Sequence, residues 1–322
     1  MLNRFRKYIY AFPIIILFFF SAAESGKAQQ YPIYSQYIFN GLILNPAYAG
    51  SHVQFSASAM YRNQWVNFDG APQTLFFSAH TSLWKERMGL GLLVSDDRIG
   101  SYSNQNVYAS YAFIIKTPVG KLAMGLQAGV NMLSADYEDL NLDDVNDISF
   151  TSLNNQLKPN FGTGVYYYSK YFFAGFSVPF LLTNGYSNAE LENVINGGIR
   201  SARNYYLYGG MNIPLNRDAT VKFQPSLLLR GQEGSPLSAD INASFVFYDL
   251  LSVGASYRNI DAVVSYIDLK LSESFHFSYS YDLTTSAIRA ASNGTHEFML
   301  NYRFKIRSIH GNIECPNFYQ FL

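Results

Sequence analysis

The sequence predicts an all-β fold: a transmembrane antiparallel β-barrel of about 14 strands, with a cleaved signal peptide and a short N-terminal periplasmic segment. Three observations carry this expectation. The first is alternation. Residues 274–282 read Ser-Phe-His-Phe-Ser-Tyr-Ser-Tyr-Asp, so Phe275, Phe277, Tyr279 and Tyr281 fall on one face of a strand and small or polar residues on the other. The second is composition: 14% of the 322 residues are charged, against about 25% in soluble domains, while 17% are aromatic, with 26 Tyr and 26 Phe. A soluble β-protein so poor in charge has too little polar surface to cover itself, whereas a membrane barrel needs lipid-facing apolar bands and aromatic girdles. The third is the regular exchange of long and short connections along the chain. A formal net charge of zero sets nucleic acid aside as a partner.

At the N-terminus, Arg4, Arg6 and Lys7 precede a short apolar run from Tyr8 to Phe20, and Gly26-Lys27-Ala28 offers a small-x-small cleavage site. The run is about 13 residues, too short for a spanning helix, which needs about 20. Residues 1–28 therefore read as a signal peptide and Gln29 as the mature start. No Cys lies near that site, so lipidation there is not expected. The single Cys, Cys315, permits no intramolecular disulfide.

Residues 29–50 form the periplasmic or plug segment. Ser35 to Asn40 suit one or two helical turns capped by Ser35, and Asn45-Pro46-Ala47 requires extended backbone before the proline. The stretch 31–48 is too apolar to float freely. It either packs in the periplasmic mouth of the barrel or, if exposed, forms an interaction patch for a periplasmic partner.

The barrel is expected over 51–305, with strands at 53–61, 73–83, 87–94, 104–115, 120–132, 160–168, 171–178, 203–213, 219–230, 238–248, 251–258, 262–271, 274–282 and 295–305; twelve or sixteen strands are the alternatives. Outward faces are legible in Val107, Ala109, Tyr111, Phe113 and Ile115, then in Leu122, Met124, Leu126, Ala128 and Val130, and in Ile241, Ala243, Phe245 and Phe247. The intervening connections 62–72, 95–103, 133–159, 181–202, 231–237 and 283–294 are long and read as external, 259–261 being the short exception. Those at 84–87, 116–119, 169–170, 214–218, 249–250 and 272–273 are short and read as periplasmic. Pro225 cannot donate to a ladder, so a bulge is expected there. Residues 306–322 read as a periplasmic tail. Alternation puts Phe277 against lipid and Ser278 toward the polar lumen, where an arginine is expected to cost much less than at Phe277.

Little in the chain resembles catalytic or metal chemistry. Asp139-x-Asn141-x-Asp143 opens like a calcium loop, but Asp144 replaces the turn glycine and Phe150 the closing glutamate. His80 and His276 alternate to the lumen from strands that are not neighbours, and no nucleophile elbow, zinc spacing or phosphate loop is present. Neither a cofactor, a metal nor a catalytic residue is expected. Arg62, Gln64, Trp65 and Asp69 follow the first strand, and Arg258 and Asp261 flank a tight connection. They serve either as rim and lumen ion pairs beside a girdle aromatic, or as a surface that docks a partner.

A family resemblance rests on specific stretches. Gln36-Tyr37-Ile38-Phe39-Asn40-Gly41-Leu42, running into Leu44-Asn45-Pro46-Ala47-Tyr48-Ala49-Gly50, resembles the N-terminal signature of the PorP/SprF family. Arg62-Asn63-Gln64-Trp65, Gly89-Leu90-Gly91-Leu92, Phe223-Gln224-Pro225-Ser226, Tyr257-Arg258 with Asp261-Ala262, Tyr279-Ser280-Tyr281-Asp282 and the Cys315-Pro316-x-Phe318-Tyr319 tail extend the similarity over the mature chain. The resemblance implies a non-enzymatic outer-membrane component of the type IX secretion and gliding machinery. Its implied partners are outer-membrane lipid and either periplasmic motor-linked lipoproteins or a secreted surface cargo protein. Tyr37, Phe39, Asn45, Pro46, Tyr48, Arg62, Trp65, Arg258 and Asp261 are the candidate docking residues. A passive pore or solute transporter is the competing function.

Overall fold

A computed structural model describes residues 34–137, 153–183, 185–186, 199–200, 202–259 and 261–304. Residues 1–33, with the expected signal peptide, the acidic stretch from 138 to 152, and the tail expected over 306–322 lie outside the described residues. Fourteen strands build one barrel: β1 (Phe55–Asn63), β2 (Gln73–Leu83), β3 (Met88–Ile99), β4 (Tyr102–Lys116), β5 (Lys121–Ala135), β6 (Leu153–Tyr168), β7 (Phe172–Val178), β8 (Asn204–Met211), β9 (Val221–Gln232), β10 (Ser238–Phe247), β11 (Leu251–Arg258), β12 (Ala262–Lys270), β13 (Phe275–Thr284) and β14 (Thr295–Phe304). Each pairs antiparallel with its neighbours. β1 pairs with β14 from Phe55↔Phe304 to Asn63↔His296, which closes the sheet and leaves the ring without an edge. Closure is what a membrane demands, because an unpaired backbone group in hydrocarbon has no water to turn to.

Period-2 alternation is followed all round. Phe77, Leu126, Phe161, Leu207, Ile241 and Phe277 point outward and are exposed, while Ser58, Asn131, Asn160, Ser177, Asn242 and Asn301 point inward and are buried. The inward set is thus polar yet closed off from solvent. The described lumen is packed.

Several elements depart from the sequence expectation. β3 and β4 extend past the membrane band and pair down to Ile99↔Tyr102, so 95–103 is a tight hairpin turning at Gly100 (φ +53°). β5 and β6 likewise reach Ala135 and Leu153 across an irregularity between Leu133 and Ala135. In the β3–β4 extension the outward positions are Asp96, Arg98, Ser103 and Gln105, so no apolar alternation marks it, and Ser/Asn/Asp-rich strand reads as loop. Pro225 makes no bulge: it pairs in register with Ala243 of β10. The ladder is interrupted on its other side. β8 pairs with β9 up to Gly210↔Ser226, and pairing resumes at Ile213↔Phe223 in the same register. One missing N–H is accommodated by a two-residue gap rather than an inserted residue.

The packed lumen also changes the expected tolerance at Ser278. Its side chain is buried, donates to Asp268, and its carbonyl accepts from Gln36. Phe277→Arg should block insertion, at a cost of about 2–4 kcal/mol near the midplane. Ser278→Arg should also be disruptive, but by expelling lumen contents from a barrel that still inserts. Heat-modifiable migration separates the two: it should be lost in Phe277→Arg and kept in Ser278→Arg.

Candidate functional site

What fills the lumen is the segment 34–52. It consists of three single 3₁₀ turns, Ser35–Ile38, Gly41–Ile43 and Pro46–Tyr48. The first has no side-chain cap, contrary to the role expected of Ser35, whose hydroxyl is engaged elsewhere. The other two are capped by asparagines: Asn40 accepts from Leu42 N and Asn45 from Ala47 N. Asn45 is extended before Pro46, as the proline requires.

The segment crosses the lumen from end to end. Tyr34 and Ser35 sit among the residues at which the long connections begin and end, whereas Phe55 starts β1 at the short-turn end. At the long-loop end, the Glu297 carboxylate accepts from the main-chain N–H of Ser35 (2.9 Å) and of Gln36 (3.0 Å). Arg62 Nε lies 2.9 Å from the same carboxylate, as an ion pair and not an aligned hydrogen bond. Arg62 and Glu297 are cross-strand partners at the β1–β14 closure. Beside them, Arg258 donates to both oxygens of Asp240 (3.1 and 3.0 Å), to Asp261 (3.3 Å) and to the Ser35 hydroxyl (3.1 Å). That hydroxyl in turn donates to Asp282 (2.6 Å). This latch joins β1, β10, β11, β13 and β14 to the leading end of the plug.

Further down, Asn242 donates to the Tyr37 hydroxyl (2.7 Å), Asn40 to Ser78 (2.7 Å) and Ser177 to the Leu44 carbonyl (2.6 Å). Asn45 donates to the Val165 and Phe176 carbonyls (3.0 and 3.3 Å), tying the plug to β6 and β7. Phe39 packs edge-on to Tyr266, and Tyr48 packs on Tyr166 and His80. At the short-turn end two wall glycines make room. A Cβ on Gly125 would overlap the Ala47 backbone, and one on Gly89 the Ala49 carbonyl. A cavity of about 50 Å³ remains near the long-loop mouth between Tyr34, Phe76, Leu93, Asp97, Tyr206 and Leu228. It is far too small for a solute path.

The candidate docking residues thus divide. Tyr37, Phe39, Asn45, Pro46 and Tyr48 are buried inside the barrel, the Tyr37 hydroxyl and the Asn45 amide bonded to its wall and the Tyr48 hydroxyl to His52 of the same segment, so they are not a surface patch. Arg62 and Arg258 are buried in the latch, and Asp261 is a partly exposed member of it. Trp65 stands apart on the β1–β2 loop at the long-loop rim, against Phe68, and its main-chain N–H donates to Thr295 Oγ1. Sequence reasoning missed Ser35, Gln36, Asp240, Asp282 and Glu297. One pair was within reach: Asp240 and Arg258 lie at equal distance from the 248–250 turn, so a hairpin register places them opposite each other. His80 and His276 do face the lumen; the former accepts from Gly50 N, and the latter lies 3.4 Å from Asp268.

Fold and site together define a transmembrane β-barrel closed by its own N-terminal segment. The chain belongs to the PorP/SprF family of type IX secretion system membrane proteins, whose family model matches residues 26–302. No curated protein matches it in sequence. Among solved structures, the outer membrane protein Omp33 of Acinetobacter baumannii is similar over 79% of this chain and 100% of its own, at 10% identity and a TM-score of 0.46. A mutant porin of Rhodopseudomonas blastica is similar over 78% and 99%, at 10% identity and a TM-score of 0.36.

Two substitutions test the seating of the plug. Gly125→Val should push the 46–50 backbone off the wall, at about 1–3 kcal/mol for overpacking. Glu297→Gln should strand the buried Arg62 charge, at about 3–5 kcal/mol. In both, limited proteolysis of the inserted barrel should cut between residues 34 and 52, where the parent chain resists.

Proposed function

We propose that this protein is a non-enzymatic, non-conducting component of the outer membrane in the type IX secretion and gliding machinery. It works by its two ends, docking a motor-linked periplasmic lipoprotein at the short turns or holding a secreted cargo protein at the long loops. Family membership supplies the machinery. The observation that favours a partner barrel over a solute pore is the filled lumen: residues 34–52 occupy it, with Tyr37, Phe39, Ala47 and Tyr48 buried against its walls. A passive pore has no use for a lumen whose polar groups are spent on its own chain.

Because the plug presents no side chains to a partner, docking falls to the rims. Trp65 and Phe68 stand at the long-loop rim, and the short turns make up the other rim. Deleting residues 29–37 removes the latch contacts of Ser35 and Gln36. In planar bilayers the parent barrel should be electrically silent and the deletion variant conducting. Affinity capture from detergent extracts should recover the same partner proteins with both. A parent barrel with steady porin-like conductance would contradict the reading. Loss of every partner on deletion would return the docking role to the N-terminal segment.

A further inference from the structure

The zero net charge conceals a separation of charge between the two ends. The long connection after β5 contains Asp136, Glu138, Asp139, Asp143, Asp144 and Asp147 without a basic residue before Lys158. The short-turn end is basic. Its acids are mostly committed: Glu86 to Lys116 and Lys121 (2.9 Å each), Asp249 to Lys222, and Glu273 to Lys270 (3.1 Å). Burial alone would push the Glu86 carboxyl up, but the two lysines outweigh it and hold it below the usual range. Lys85, Arg87, Lys170 and Arg217 are exposed and have no ion-pair partner among the described residues.

Apolar side chains stand at every short turn, and these cations at three of the six. Trp84, Val119, Tyr171, Leu215, Tyr248 and Leu271 are all exposed, Trp84 at 80% and Tyr248 at 73%. They are spread over all six turns and not gathered into one patch. A protein partner covers a sector of a ring, whereas a lipid leaflet meets the whole of it. Two turns hold their aromatics in backbone that L residues rarely adopt. Trp84, Lys85 and Glu86 have φ of 48°, 55° and 62°, and Tyr248 and Asp249 have 55° and 52°. Asn-Gly would make the 248–249 turn without strain. The large side chains are therefore there for something outside the fold. In the 169–171 turn, the Lys170 ammonium sits 5.7 Å from the centroid of the Tyr171 ring, so cation and aromatic are presented together.

We propose that the short-turn rim is a collar for anionic phospholipid headgroups. Its aromatic and aliphatic side chains enter the interfacial layer, and Lys85, Arg87, Lys170 and Arg217 contact the phosphates. This goes beyond the aromatic girdle of any membrane barrel, because it requires a preference for negative headgroups at one end.

The chain has two tryptophans, so Trp65→Phe leaves Trp84 as the only reporter. The variant, purified and reconstituted in phosphatidylcholine vesicles with or without phosphatidylglycerol, should show Trp84 fluorescence quenched by lipid brominated near the glycerol and shielded from iodide. Phosphatidylglycerol should be enriched over phosphatidylcholine among lipids that co-purify. Neutralising Lys85, Arg87, Lys170 and Arg217 with glutamine should lower that enrichment, by up to about fivefold for each cation that touches a headgroup. Free access of iodide to Trp84 with no quenching by brominated lipid would overturn the collar. So would lipid quenching with equal enrichment in the parent and the four-fold variant. The Gly125→Val barrel, perturbed only in its plug, should keep the enrichment; its loss there would also count against the rim as its source.

Discussion

Everything inside this barrel depends on the Glu297 carboxylate. It lies at the seam where the last strand meets the first, and it takes two successive main-chain N–H groups from Ser35 and Gln36 while pairing with Arg62. A buried carboxylate is costly unless charged and hydrogen-bonding partners surround it. Here the partners come from the closure strand and from the plug. Closing the sheet thus builds the site in which the plug is seated. Without the plug, Glu297 keeps a cation but loses its main-chain donors, and Arg258 loses Ser35. Without closure, Arg62 and Glu297 never meet. The latch therefore links a local turn at residue 35 to pairings more than two hundred residues away in sequence.

The remaining layers follow from that arrangement. The outer face is apolar because lipid surrounds it, and the inner face is polar because it receives the irregular backbone of the plug. Three short turns in place of a helix leave many main-chain groups to be satisfied by the wall. Glu297 meets that demand at Ser35 and Gln36 N–H, Ser177 at the Leu44 carbonyl and His80 at Gly50 N–H, while the Asn45 and Gln36 side chains donate in return to wall carbonyls. Glycines at 89 and 125 let two backbones approach where any side chain would separate them. Since both lumen and lipid faces are committed, the rims are the surfaces left for other macromolecules.

Much of the fold was legible because lipid on one side imposes a strict rule: Phe277, Tyr279, Phe298 and Leu300 had to share a face, and they do. Closure was implied by the same rule. The extensions of β3 to β6 were not legible, because outside the bilayer Ser95, Asp96 and Asn104 have no apolar face to reveal a strand. The plug was only half legible. Tyr, Ile and Leu between 31 and 48 announce burial without saying against what, and a lumen wall and a partner protein ask for the same side chains. Arg62 and Arg258 could be singled out as charges near strand ends. Their roles could not, since Glu297 and Ser35 come to them only through closure and threading.

The central claim is that residues 34–52 are a fixed interior element and not an arm that samples the outside. Amide hydrogen exchange of the purified, lipid-reconstituted barrel tests it most directly. The amides of Gln36, Leu44, Asn45, Ala47 and Tyr48 should be protected to the same order as those in the centre of β14, because each is hydrogen-bonded inside a closed barrel. Complete exchange of this segment on the shortest timescale, with the strands still protected, would contradict the account and make the lumen open.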